Sequence, residues 1–158
     1  MILYYAAGAV IVVWTVFQSA GVDHRVVAGG ALVPLLDAFV GHQAFAHTLL
    51  APTVALVVVM GATAGRGHRR ARRRAIGVPI GWYLGIALSG AFASKDGFWW
   101  PAFGSDFGSR PVWPPLGVAI GLEALSVVGL VWAWSRFGLA DPVRRAAFLR
   151  DGRLDPVR

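Results

Sequence analysis

Long apolar runs alternate with short polar breaks along this chain. Residues 1–22 carry no charged side chain, residues 26–65 carry only Asp37, and residues 75–94 carry none. At 1.5 Å per helical residue, apolar runs of about 17–25 residues are long enough to cross a hydrocarbon core. The pattern predicts a first helix over residues 2–20, ended by Gly21 and the polar group "DHR". A second segment, "VVAGGALVPLLDAFVG" over 26–41, is interrupted by Gly29, Gly30 and Pro34 and contains Asp37, so it is expected to be kinked or re-entrant and turned away from lipid. A third runs over 47–64, and a fourth over 75–94. The fourth repeats small residues (Gly77, Gly81, Gly85, Ser89) at a spacing of four, which lets helix backbones approach closely and predicts a central position. A fifth covers 116–135 and carries Glu123. The predicted fold class is therefore an all-α integral membrane protein, a bundle of four to five transmembrane helices with one of them kinked or re-entrant.

Between the fourth and fifth segments, "KDGFWWPAFGSDFGSRPVWPP" has no helical period and interleaves aromatics with Gly and Pro, as expected of an outer loop at the headgroup boundary. In the tail, Asp141 is a candidate N-cap, Pro142 suits the first helical position and Gly152 is a stop signal, predicting a short amphipathic basic helix over 142–151. Two units follow from this reading: a transmembrane helical domain, 1–138, and a basic tail, 139–158.

Composition sharpens the class. Apolar residues make up 56% of the chain and mean hydropathy is +0.60. The chain has no cysteine, so disulfides and thiolate metal sites are excluded. The first segment lacks the basic start of a secretory leader and reads as a retained helix. Of 14 arginines, 12 lie in residues 65–74 or from Arg136 onward. By the positive-inside rule both regions are expected to be cytoplasmic, in a multi-pass protein of a bacterial inner membrane, and the aromatic loop is then outside. An orientation signal accounts for the arginine run between two apolar segments, so nucleic acid is not an expected partner. The expected partners are the lipid bilayer and, for the tail helix, anionic lipid headgroups.

Candidate chemistry sits in "DAFVGHQAFAHTLL", residues 37–50. Asp37, His42 and His47 recur every five residues, a spacing that scatters side chains around one continuous helix. A turn at Gly41 and His42 would instead converge Asp37 and His47. Carboxylate with neutral imidazole is a ligand set for zinc or another divalent metal, and Asp96 is a further candidate on the same face. The same pair can equally be a structural hydrogen bond. Asp23 and His24 could join only if the second segment is re-entrant, because 14 helical residues would otherwise separate Asp23 from Asp37 by about 21 Å. Glu123 is expected to be satisfied within the bundle or to serve as a proton relay.

The order "VDHR", "ALVPLLDA", "AHTLL", "IGWYLGIALSG" and "FWWP" resembles the YdjM-like membrane-bound metal-dependent hydrolases over residues 20–104. The resemblance implies a divalent metal, zinc foremost, held by Asp37 and His47, and hydrolysis of a phosphate or ester substrate. The family's later His and Asp, four apart, correspond to Gly85 and Ser89, leaving an incomplete ligand set but implying a pocket beside the fourth segment. The alternative is a non-enzymatic membrane partner or lipid-binding module that retains a structural Asp/His pair.

Overall fold

A computed structural model describes residues 1–18, 22–93, 95–104, 106–107, 109–154 and 156; the side chains of Arg66, Arg70, Lys95 and Asp96 lie outside that description. All regular structure among the described residues is helical: α1 (Ile2–Phe17), α2 (His24–Ala31), α3 (Leu50–Ala62), α4 (Arg69–Ala75), α5 (Gly77–Ser89), α6 (Lys95–Phe98), α7 (Leu116–Arg136) and α8 (Pro142–Asp151). Short 3-10 turns fill several connections, the longest being Val33–Phe39.

The expected bundle of four to five transmembrane helices is not what forms. Among the described residues only α7, at 21 residues, is both long and apolar enough to cross a membrane; α1 and α3 are apolar but shorter. The multi-pass reading is corrected accordingly. Hydropathy counts side chains and overlooks where the backbone breaks. The second segment divides at Leu32, where α2 gives way to the 3-10 turn opened by Pro34. The third and fourth segments yield 13-residue helices, about 20 Å long, against a hydrocarbon core of about 30 Å.

The core is built on α2 and α5. Gly81 and Gly85 of α5 lie directly on the α2 backbone: a Cβ at Gly81 would strike the Val27 carbonyl, and one at Gly85 the Ala31 carbonyl. Gly30 of α2 is pressed against the Val78 carbonyl in the same way. The small-residue spacing of the fourth segment thus produces the close approach it predicts. Against this pair α1 lays Tyr5, Ala9 and Val13, four residues apart on one face, to form a buried cluster with Val27 and Ala31. On its other side α1 meets α7, with Trp14 packed edge-on to Trp132 and Phe137 at centroid distances of 6.0 and 5.1 Å.

At one end of the assembly α8 docks on α2. The Gly152 carbonyl accepts from the His24 backbone N–H at 3.0 Å and from its ring Nδ1 at 3.1 Å, and Arg25 donates to the Leu149 carbonyl. The caps of α8 fall where its sequence places them: Asp141 accepts from Val143 N at 2.8 Å, and Gly152 closes the helix at φ 67°. The end of the tail helix is thus hydrogen-bonded to the start of α2.

Candidate functional site

The 3-10 turn Val33–Phe39 carries Asp37 inward, and Gly41, at φ 89°, reverses the chain so that residues 44–47 return over the carboxylate. Asp37 Oδ2 accepts from Ala44 N at 2.7 Å, His47 N at 3.1 Å and His47 Nδ1 at 2.7 Å, while Oδ1 accepts from Ala46 N at 3.1 Å. The four bonds are shared unevenly, three on Oδ2 and one on Oδ1. Burial would raise the Asp37 carboxyl, but the His47 hydrogen bond and the Ala44 and Ala46 amides outweigh it and hold the group below its ordinary value of 3.8.

This carboxylate organises the loop around it. Trp82 of α5 donates its indole N–H to the Ala46 carbonyl at 2.7 Å, and Thr48 Oγ accepts from Ala51 N in the first turn of α3. Gln43 N reaches the Arg110 carbonyl at 2.7 Å, and Leu49 N the Phe98 carbonyl at 2.8 Å, tying both ends of the aromatic loop to the same segment. Gln43, Trp82 and Arg110 were not among the residues singled out in the sequence. Trp82 left one trace, as a lone indole in a helix of small residues.

A metal does not fit the donors described here. Asp37 is engaged by three backbone amides and one imidazole, with Oδ2 taken up by three of the four. His47 must carry its proton on Nδ1 to donate to Asp37, so only Nε2, buried and without a partner, is left to ligate. His42 turns its Nδ1 to the Gln43 carbonyl. The side chain of Asp96 lies outside the described residues. No group of three or more His, Asp or Glu able to hold a metal occurs among the described residues. Nor is there room for the family's later ligand pair, since Gly85 is closed off by the Ala31 carbonyl and the Pro34 ring.

The remaining candidates lie elsewhere. Asp23 caps α2 by accepting from Arg25 N and pairs with the Arg25 guanidinium at 2.9 Å. Burial pulls the Asp23 carboxyl up, and the Arg25 side chain outweighs it to leave a net lowering. His24 is fully buried and its imidazole is pushed below the ordinary 6.5 by that burial. Its Nδ1 must donate to a carbonyl, so its unpartnered Nε2 carries the lone pair. Glu123 meets the Met1 ammonium through Oε1, with Oε2 unpartnered. Both asymmetric features of the chain, its arginine segment and its tail, line one cavity with Asp23.

No family model, curated protein or solved structure matches the chain.

Proposed function

We propose that this protein is a bilayer-associated helical binding module, inserted through α7, in which Asp37 and His47 form a structural clasp and not a catalytic centre. The observation that carries the reading is α7 itself. Its 18-residue apolar window has a mean hydropathy of 2.0, yet only 11% of that window is buried against the rest of the protein. The core helix of a water-soluble protein would bury most of such a surface, whereas Leu125, Val128 and Val131 all project outward. Exposed apolar side chains on α1 (Val12, Val16) and α3 (Val54, Val57, Val58) extend the apolar surface. The hydrolase expectation is set aside: the Asp37 carboxylate is engaged by four donors of the fold, and the basic atom left over, His47 Nε2, is buried out of reach of a substrate.

The absence of cysteine makes the test direct. Single cysteines at Leu125, Val128 and Val131, carrying nitroxide labels in reconstituted vesicles, should be accessible to oxygen and shielded from a water-soluble nickel chelate. Labels open to the chelate, or a chain that stays monomeric in buffer without detergent, would overturn the bilayer reading.

A further inference from the structure

Where the loop between α6 and α7 meets the start of α1, it walls a cavity of about 280 Å³. Val118 and Leu122 of α7, with Leu88 of α5 and Trp113 of the loop, give the cavity an apolar side. Three polar side chains line it as well, and each holds a donor short of an acceptor. Tyr5 is 1% exposed, yet its hydroxyl has no hydrogen-bond partner among the described residues. Gln43 is 5% exposed, and its amide nitrogen finds only the Pro111 carbonyl at 3.5 Å, beyond the usual length of such a bond. Arg110 gives one nitrogen to the Gly90 carbonyl at 2.9 Å and enters none of the ion pairs among the described residues. The Arg110 carbonyl accepts from Gln43 N at 2.7 Å, which holds these two residues side by side. The other polar groups of the wall are already matched: the Met1 ammonium by Glu123, and the Ser89 hydroxyl by the Ile86 carbonyl.

We infer that this cavity binds a monocarboxylate with a compact apolar body. A carboxylate offers about four acceptor positions, enough for donors from Tyr5, Gln43 and Arg110 together. One guanidinium without a counter-ion calls for one negative charge, and its planar fork matches the two oxygens of a carboxylate. A buried donor left without an acceptor is costly, so a ligand that supplies one to Tyr5 and Gln43 is favoured over an apolar one of the same shape. Size selects the body. A cavity of about 150 Å³ holds benzene, so one of about 280 Å³ admits about ten non-hydrogen atoms, a compact acid and not a long acyl chain. Trp113 gives a face against which an aromatic body can pack. The inference goes beyond the bilayer reading and does not rest on it, because the protein's own residues wall the cavity.

The full chain in nonionic detergent is titrated by calorimetry with 3-phenylpropionate and, separately, with 3-phenylpropanol, which keeps the body and loses the charge; titrations into protein-free detergent are subtracted. The acid should bind about tenfold more tightly than the alcohol. Tyr5→Phe removes only the hydroxyl and should weaken binding of the acid by about tenfold. Arg110→Gln should bring the acid down to the level of the alcohol while changing the alcohol by less than about twofold, a split that a general loosening of the loop would not produce. Arg110→Lys, which keeps the charge but loses the fork, should fall between wild type and Arg110→Gln. Arg145→Gln, an equal charge loss on the exposed face of α8, should leave the acid within about twofold of wild type. Thermal unfolding checks that each variant folds, and the shape-conserving Tyr5→Phe keeps the test decisive if Arg110→Gln does not. No saturable binding of the acid, equal affinity for acid and alcohol in the wild type, or binding unchanged in both Tyr5→Phe and Arg110→Gln would overturn the site.

Discussion

Replacing Asp37 by Asn would alter one atom and leave the shape of the turn, which isolates the clasp. An amide nitrogen in place of Oδ2 would face three donors, Ala44 N, His47 N and His47 Nδ1; in place of Oδ1 it would face Ala46 N. Either orientation leaves buried donors unmatched, so Asp37→Asn should cost about 3 kcal/mol, read as a fall in the midpoint of thermal unfolding. His47→Ala removes one of the four bonds, and a double-mutant cycle with Asp37→Ala should be non-additive by about 1 kcal/mol. Additive losses would mean that the two side chains are not coupled. The sign with pH follows from the direction of the shift. Because the folded value lies below the ordinary 3.8, the contribution of Asp37 is complete above 3.8 and is lost as pH falls through the folded value. Asp37→Asn should therefore flatten the acid limb of the stability profile. The Asp37–His47 meeting was legible in the sequence because Gly41 marks the turn. The fourfold bonding of the carboxylate was not, since three of its four partners are backbone N–H groups, which every non-proline residue carries and no sequence pattern distinguishes.

Helix by helix, glycine at two kinds of position gives opposite expectations. Gly81 sits where a Cβ would collide with the Val27 carbonyl and come within 2.8 Å of Ala31 N, so both α2 and α5 would have to move apart. Gly81→Ala should cost about 2 kcal/mol or more. Gly29 lies one residue before Gly30 on α2 but has nothing within 4 Å of its missing Cβ. There the gain in helix propensity and the loss of unfolded-state freedom act alone, and Gly29→Ala should stabilise by about 0.5–1 kcal/mol. Chemical denaturation of the two variants side by side checks both signs; a harmless Gly81→Ala would show that the α2–α5 contact is looser than described. The spacing of small residues revealed which helix is central because close approach requires them. The same residues misled the count of spans, since Gly and Pro keep a hydropathy window high while dividing the helix beneath it. The length of α7 was legible for the converse reason: from Leu116 to Arg136 no proline interrupts, and its glycines at 117, 121 and 129 are isolated.

At the scale of the whole molecule, the contact that joins the start of α2 to the end of α8 holds a titratable ring. His24 and Gly152 are 128 residues apart in sequence, a separation no periodicity could reveal, although the caps of α8 could be read locally. The His24 ring gives Nδ1–H to the Gly152 carbonyl and keeps Nε2 deprotonated in a buried setting. Protonation would place a charge in that setting. Asp23 and the Gly152 and Val22 carbonyls favour the charged ring, but burial outweighs them. With its folded value below 6.5, His24 leaves the docked state unpenalised above pH 6.5, and the penalty grows as pH falls from there toward the folded value. Amide exchange at Gly152, Arg153 and Leu154 should therefore quicken between about pH 7 and 5 by more than the intrinsic chemistry of exchange accounts for. His24→Asn sets an amide N–H close to the position of Nδ1 and cannot titrate, so it should hold α8 in place while abolishing that pH dependence. Gly152→Ala provides the opposite control. A Cβ there would strike the Asp23 carboxylate at a residue already in left-handed backbone geometry, and α8 should come free at every pH. Protection that is flat from pH 7 to 5 in the wild type would show that His24 does not govern the docking of the tail, and a pH response that persists in His24→Asn would assign it to another group.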